Sequence, residues 1–207
     1  MTVPDPSPLT LLAWRREVAE TYAAVRAAPE PAYGHALWRR RRDALFAGSS
    51  QSPLPALDAR RGAGLPVAPY DPAWRVVVPL EPAEDDRRDL DGGDDGPVRL
   101  RRVGVLRTPW GGLDAWGLLG YGGGLFVPVR DAGSGTLSYG GGRYLLDTVK
   151  GADLGATGDG LVLDLNFLYA PSCAYDPRWT CPLAPPGNTL AVAVPAGELQ
   201  PAARIAT

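Results

Sequence analysis

The chain has 207 residues and a formal net charge of -2, a length that buries a core without help from disulfides or metal. The charge balance excludes a long basic face, so nucleic acid is not an expected partner. No early apolar run has signal-peptide shape and none approaches the ~20 residues of a membrane span, so the expectation is a cytoplasmic protein, without membrane contact, whose two cysteines are reduced.

Residues Leu9–Ala28 read as a helix. Leu11, Trp14, Val18, Tyr22 and Val25 recur at steps of three and four and form one apolar stripe, Ser7 or Thr10 is placed to cap the start, and Pro29 and Pro31 end it. The stripe is either a packing face or, in the rival reading, the surface of an interaction module that docks a partner. A second helix, Tyr33–Phe46, holds the single histidine, His35, beside Gly34 at its start, where a surface or capping role is expected. One histidine cannot build a His-rich zinc site or a two-His iron site, and no metal or cofactor is expected. Arg39–Arg42 read as a solvated face flanking Leu37, Trp38 and Phe46.

Ala47–Asp71 is rich in Gly, Pro and Ser and reads as loop wrapping a core. Trp74–Leu80 is the first strand, with Val76, Val77 and Val78 supplying β-branched residues. Glu81–Pro97 follows, with six Asp between positions 85 and 95. Asp89, Asp91, Asp94 and Asp95 lack the alternating offsets and closing Glu of a calcium loop, so a mobile acidic hairpin loop is expected. Short strands broken by glycine turns come next: Val98–Arg107, with a phase shift between Leu100 and Val103 that suggests a bulge, then Leu113–Leu119, Leu125–Arg130, Thr136–Leu146, Leu161–Asn166 and Thr189–Pro195. The pattern predicts an α+β fold, predominantly antiparallel β as a meander, curled sheet or small barrel, with the N-terminal helices packed on it. One domain is expected over 1–207, with a helical region at 9–46 and a β-rich core at 74–198.

Rare residues concentrate late in the chain. Tyr139-Gly140-Gly141-Gly142-Arg143-Tyr144 places an arginine behind three glycines, Asp164 and Asn166 alternate on a strand, and Cys173 and Cys181 bracket Tyr175, Pro177 and Trp179. Glycines let a backbone approach a ligand, and the Arg143 fork suits a carboxylate or phosphate. The competing reading is a bulged strand entry, with Arg143 paired internally to Asp131, Asp164 or Glu198. Leu161, Leu163 and Leu165 should face the core, which leaves Asp164 and Asn166 together on the opposite face. The cysteines are too far apart for a zinc knuckle or a C-x-x-C motif and read as buried thiols, a loop-stapling disulfide or a reactive thiol.

The YGGGRY run, the D-x-N strand at Asp164–Asn166 and the C-A-Y…T-C-P-L…P-P…N segment ending in Ala196-Gly197-Glu198 resemble the DUF1684 family of bacterial and archaeal proteins. Arg42-Asp43, Phe46, Ser52-Pro53-Leu54 and Gly64-Leu65 resemble it more loosely. Leu165, Ala170-Pro171 and Gly187 depart from the family pattern. The resemblance implies no activity.

The leading expectation is a domain that binds a small anionic molecule in a sheet concavity. Arg143 would anchor it, Asp164, Asn166 and Asn188 would orient it, and Tyr139, Tyr144 and Tyr175 would form the walls. The alternative is an enzyme with Asp164 or Glu198 as general base and Cys173 or Cys181 as nucleophile.

Overall fold

The computed structural model describes residues 6–93, 96–158 and 160–200. Helix α1 spans Pro8–Arg26 and opens with a reciprocal cap, in which Ser7 Oγ accepts the Thr10 N–H at 3.2 Å and Thr10 Oγ1 accepts the Ser7 N–H at 2.8 Å. Helix α2 spans Pro31–Gly48, again with proline in its first turn, and a short α3 covers Arg60–Ala63. The C-terminal half of the α1 stripe is used for packing. Tyr22 and Val25 meet Trp38 and Phe46 of α2, and Leu54, Leu65, Ala152 and Phe167 close the cluster. Leu9, Leu11 and Leu12 at the other end of α1 are exposed.

The strands are β1 (Arg75–Glu81), β2 (Arg87–Leu90), β3 (Val98–Thr108), β4 (Gly111–Leu118), β5 (Leu125–Val129), β6 (Arg143–Asp147), β7 (Ala156–Thr157) and β8 (Gly160–Asp164). They form one antiparallel sheet in the order β6-β5-β4-β3-β1-β8-β7, with β2 added to β3, curled into a half-barrel. The fold is thus α+β and mostly antiparallel, as the spacing of strands and glycine turns predicts.

A bulge in β3 divides the interior. The register shifts between Arg102 and Gly104, so Leu100 lies opposite Leu118 while Leu106 lies opposite Leu113 on the other face. Leu106 and Leu113 join Val127, Leu163 and Leu190 in the main core, and Leu100 joins Trp116, Phe126 and Tyr144 in a second one. Gly104 makes the bulge feasible, because a Cβ there would stand 2.6 Å from the Glu81 carbonyl oxygen.

Four expectations are corrected. Within Glu81–Pro97, Arg87–Leu90 is not loop but strand, since Arg88 pairs with Asp86 at 2.9 Å and Arg101 with Asp85 at 2.7 Å alongside the β2–β3 ladder. Asp94 and Asp95 lie outside the described residues. The Thr136–Leu146 strand shrinks to Arg143–Asp147, because 133–138 closes into a tight turn in which the Gly133 carbonyl accepts the N–H groups of Thr136, Leu137 and Ser138. No strand forms at Thr189–Pro195, although Leu190 N–H does reach the Arg130 carbonyl at 2.8 Å. Beyond it the chain makes an isolated antiparallel bridge between Glu198 and Val67 but no ladder, and its carbonyls at Val194, Ala196 and Glu198 are taken by the Arg143 guanidinium. Finally, β8 stops at Asp164, and Leu165–Phe167 is a 3-10 turn in which Asp164 Oδ1 accepts the Asn166 N–H at 3.1 Å. Asp164 and Asn166 therefore touch each other through a cap rather than sharing a strand face.

Candidate functional site

The fate of Arg143 decides where a site is not. Its side chain is fully enclosed, with Nη2 donating to Asp131 Oδ2 at 2.9 Å and to the Val194 carbonyl at 3.1 Å. Nη1 donates to the carbonyls of Ala196 and of Glu198, the latter at 3.0 Å. Asp131 is tied in turn, its Oδ1 accepting Gly133 N–H at 2.7 Å and Val194 N–H at 3.2 Å. Burial lowers the Arg143 pKa and Asp131 works against that shift. Nε alone has no hydrogen bond among the described residues, but the side chain is fully enclosed and no guest reaches it, so the internal ion pair replaces the anion anchor expected from the glycine run.

Asn188 and Asn166 are structural in the same sense. Asn188 Oδ1 accepts the Trp116 indole N–H at 2.8 Å and its Nδ2 donates to the Asp114 carbonyl at 2.8 Å, all without exposure. Asn166 holds the Asp71 backbone from both sides, donating to its carbonyl at 2.8 Å and accepting its N–H at 3.0 Å. Asp164 accepts from Tyr70 Oη at 3.3 Å and stands 3.6 Å from Arg75 Nε. Burial raises the Asp164 pKa, and Asn166, Arg75 and Tyr70 partly offset the effect. Asp164 borders a cavity of about 360 Å³ shared with Arg26, Arg75 and Thr157.

Two of the expected aromatic walls do meet around a hollow, but not beside those polar groups. Tyr144 and Tyr175 line a cavity of about 220 Å³ enclosed by α1, α2 and the segment Ala170–Pro182. It has no lining residue in common with the Asp164 cavity. Tyr144 Oη donates to the Pro182 carbonyl at 2.7 Å, which holds the proline-rich segment over the β6 edge. Tyr139 is one step removed, its hydroxyl donating to Cys173 Sγ at 3.6 Å. Burial pushes the Tyr139 pKa up to about 12.

The chemistry of this cavity comes from residues that sequence reasoning passed over. Three cations reach its wall, Arg15 from α1, Arg42 from α2 and Lys150 after β6, and no carboxylate does among the described residues. Arg42 is not part of a solvated face. It lies over the rings of Phe46 at 4.3 Å and Tyr169 at 5.1 Å, and its Nη2 donates to Glu198 Oε2 at 2.9 Å and to Tyr175 Oη at 3.0 Å. Burial opposes its charge, but Tyr175 and Glu198 outweigh this and raise its pKa. Some 14% of the Arg42 side chain stays open. Lys150 sits over the Tyr144 ring at 5.2 Å and 3.3 Å from Asp147 Oδ2. Arg15 has no ion-pair partner among the described residues. Tyr22, nearly fully buried, also lines the cavity, and its hydroxyl has no hydrogen bond of good geometry among the described residues. Burial pushes its pKa up to about 12, with the Arg42 charge pulling the other way.

One sequence signal was available for this wall: Lys150 is the only lysine in the chain. Arg42 was masked by the run of four arginines it ends. Glu198, expected as a candidate base, is taken up by Arg42, by the Tyr175 hydroxyl and by the Ala170 N–H at 3.2 Å. Among the described residues no cluster of three or more His, Cys, Asp or Glu could hold a metal ion, and no helix is long and apolar enough to cross a membrane.

The cysteine segment forms one rim. Cys173 N–H donates to Cys181 Sγ at 3.4 Å, both sulfurs are free thiols and half-buried, and Cys181 lines the cavity. The Cys173 thiol hydrogen bonds to Cys181 and lowers the Cys181 pKa to about 6, assisted by the Cys173 and Ser172 N–H groups and the Lys150 charge. The same contact raises the Cys173 pKa.

Comparison with known proteins adds kinship without an activity. No curated protein matches the chain significantly. Among solved structures, the solution NMR structure of an uncharacterized protein of Haloarcula marismortui is similar at 35% sequence identity with a TM-score of 0.54, covering 78% of this chain and 90% of that one. The family model "Protein of unknown function (DUF1684)" matches residues 62–199, which takes in the arginine turn, the Asp164 cap and the whole cysteine rim, and the chain belongs to that family.

Proposed function

We propose that the protein binds a small organic anion, a carboxylate or phosphate on an apolar or aromatic body, in the cavity between the helices and the cysteine rim. The observation that carries this reading is the composition of the wall: Arg15, Arg42 and Lys150 face it and no carboxylate does among the described residues. Asp147 and Glu198 pair with two of these cations and do not line the cavity, so the charge left over is that of Arg15. The remaining surface is the apolar and aromatic lining typical of small-molecule sites, here Trp14, Val18, Tyr144 and Tyr169 among others. At about 220 Å³ the cavity falls below the ~300–1,000 Å³ usual for drug-sized ligands, which favours a compact metabolite. Tyr22 supports the same reading, because an unpartnered hydroxyl in a buried wall is costly unless something occupies the space before it.

The test is a thermal-shift and calorimetric screen of aryl and alkyl carboxylates and phosphates against wild type and Arg15→Glu. Arg15 is held by no partner among the described residues, so its reversal should leave the ligand-free midpoint unchanged. Binding of the preferred anion should weaken at least ~10-fold, or about 1.4 kcal/mol. No response of wild type to any anion, or equal affinity in Arg15→Glu, would overturn the proposal.

A further inference from the structure

We propose that Cys181 and Cys173 form a peroxide-reactive thiol pair, with Cys181 as the attacking sulfur and Cys173 as the resolving one. Four observations place the pair for this chemistry. Cys181 lines an open cavity, so a small hydroperoxide can reach it. Its sulfur accepts the Cys173 N–H at 3.4 Å, a donor that favours the charged sulfur. The chain's only lysine, Lys150, faces the same hollow. Cys173 sits against Cys181 without lining the cavity, and its sulfur accepts the Tyr139 hydroxyl at 3.6 Å. The lowered Cys181 pKa is consistent with this arrangement and gives a thiolate that needs no imidazole base. The inference does not depend on what else the cavity binds.

The chemistry balances with a hydroperoxide as the oxidant. Cys181 thiolate attacks the terminal oxygen, an S–O bond forms, the O–O bond breaks, and the alkoxide or hydroxide that leaves takes a proton from water. The Cys181 sulfenic acid is then attacked by Cys173. An S–S bond forms, the S–O bond breaks, and water leaves with the proton Cys173 brought. Two thiols have supplied the two electrons that reduced the peroxide. A dithiol reductant restores the pair by exchange. The disulfide would bridge residues eight apart and staple the rim around Tyr175, Pro177 and Trp179.

The experiment uses the full chain, reduced and freed of reductant, dosed with one equivalent of hydrogen peroxide or cumene hydroperoxide. Wild type should lose both thiols together and 2 Da of mass, with a Cys173–Cys181 cross-link in the peptide map, an outcome that needs no variant (~1 Da per hydrogen lost). Cys173→Ser should hold a dimedone-reactive sulfenic acid on Cys181, and Cys181→Ser should leave Cys173 as thiol. At pH 5.5 wild type should react with iodoacetamide at least ~10-fold faster than Cys181→Ser, since a thiol of ordinary pKa is almost fully protonated there. Equal alkylation rates at that pH, sulfenic acid found on Cys173 instead, or oxidation without the cross-link would each overturn the proposal.

Discussion

Arg143 Nη2 and Asp131 Oδ2 face each other at 2.9 Å with neither side chain open to solvent. The pair joins the start of β6 to the loop after β5, and through the carbonyls of Val194, Ala196 and Glu198 it also fastens the segment 194–198. Breaking a buried pair from one side strands a charge, typically at about 3–5 kcal/mol. Asp131→Asn should therefore cost about 3 kcal/mol. Arg143→Met should cost more, because it also orphans three buried carbonyls, each worth roughly 1–3 kcal/mol. The double variant should lie close to Arg143→Met alone, since both act through one network. Urea midpoints at constant m-value measure all three.

The glycines before Arg143 separate structural from permissive positions. Gly142 has φ +90° and a Cβ there would stand 2.7 Å from the Val129 carbonyl oxygen, in the tight approach that sets the β5–β6 pairing. Gly140, two residues earlier, would meet nothing closer than the Gly135 Cα at 3.6 Å. Gly142→Ala should lose about 2 kcal/mol or more through backbone strain and the clash. Gly140→Ala should stay within roughly 1 kcal/mol of wild type. Equal losses in the two variants by urea denaturation would mean that the run acts as a unit rather than through one left-handed residue.

How much of this was legible follows from what kind of signal each feature sends. Helices and strands announce themselves through local periodicity, so α1, α2, β1, β4 and β5 and the β3 bulge could be read directly, and so could Asp131 as one of three partners open to Arg143. The chain near Thr189–Pro195 has strand composition, yet a distant arginine takes its carbonyls, and no local pattern records that. The cavity escaped for the same reason. Arg15, Arg42 and Lys150 are 27 and 108 residues apart in sequence. They converge because α1 and α2 pack on each other and on Ala152 and Phe167, and the Ala170–Pro182 segment borders the same hollow. Rarity pointed to the right segment, since Cys181 and Tyr175 do border the hollow. It pointed to the wrong arginine, because an arginine behind three glycines looks the same whether it faces a ligand or a carboxylate.

Tyr22 gives a prediction in which stability and binding move in opposite directions. Its hydroxyl is buried and has no hydrogen bond of good geometry among the described residues, with the Arg42 charge and the Trp38 indole acting on it. Tyr22→Phe removes a desolvated polar group while keeping the ring against Val25 and Trp38. Ligand-free stability should therefore be unchanged or improved by up to about 1 kcal/mol. If the cavity takes an anion as proposed, the same variant should bind it roughly 5- to 10-fold more weakly, as expected for one lost hydrogen bond. Urea midpoints and calorimetry read the two effects separately. A destabilised variant would show that the hydroxyl has a partner inside the protein.

His35 supplies the pH dependence. The residue is buried, not at the surface as its place near a helix start suggests, and it packs against Trp38, Tyr70 and Phe167 at ring separations of 5.7, 5.6 and 5.3 Å. Burial lowers its pKa from 6.5, the Asn166 carbonyl opposes the shift, and the Arg39 charge adds to it. Above pH 6.5 the imidazole is neutral in both folded and unfolded chains and its contribution is complete. Below pH 6.5 the unfolded chain takes up a proton that the folded protein refuses, so stability falls as pH falls until the folded-state pKa is reached. The slope for this one proton is at most ~1.4 kcal/mol per pH unit. Asp164 acts in the opposite direction at lower pH: its raised pKa keeps the folded protein protonated longer, so its contribution falls as pH rises above 3.8. His35→Phe isolates the histidine, because both proteins carry the same Asp164. The stability difference between wild type and His35→Phe should be flat from pH 8 to about 6.5 and then shift steadily in favour of the variant as pH drops. Urea titrations at half-unit intervals measure it, and a difference that stays constant down to pH 4.5 would mean that His35 titrates as it does in the unfolded chain.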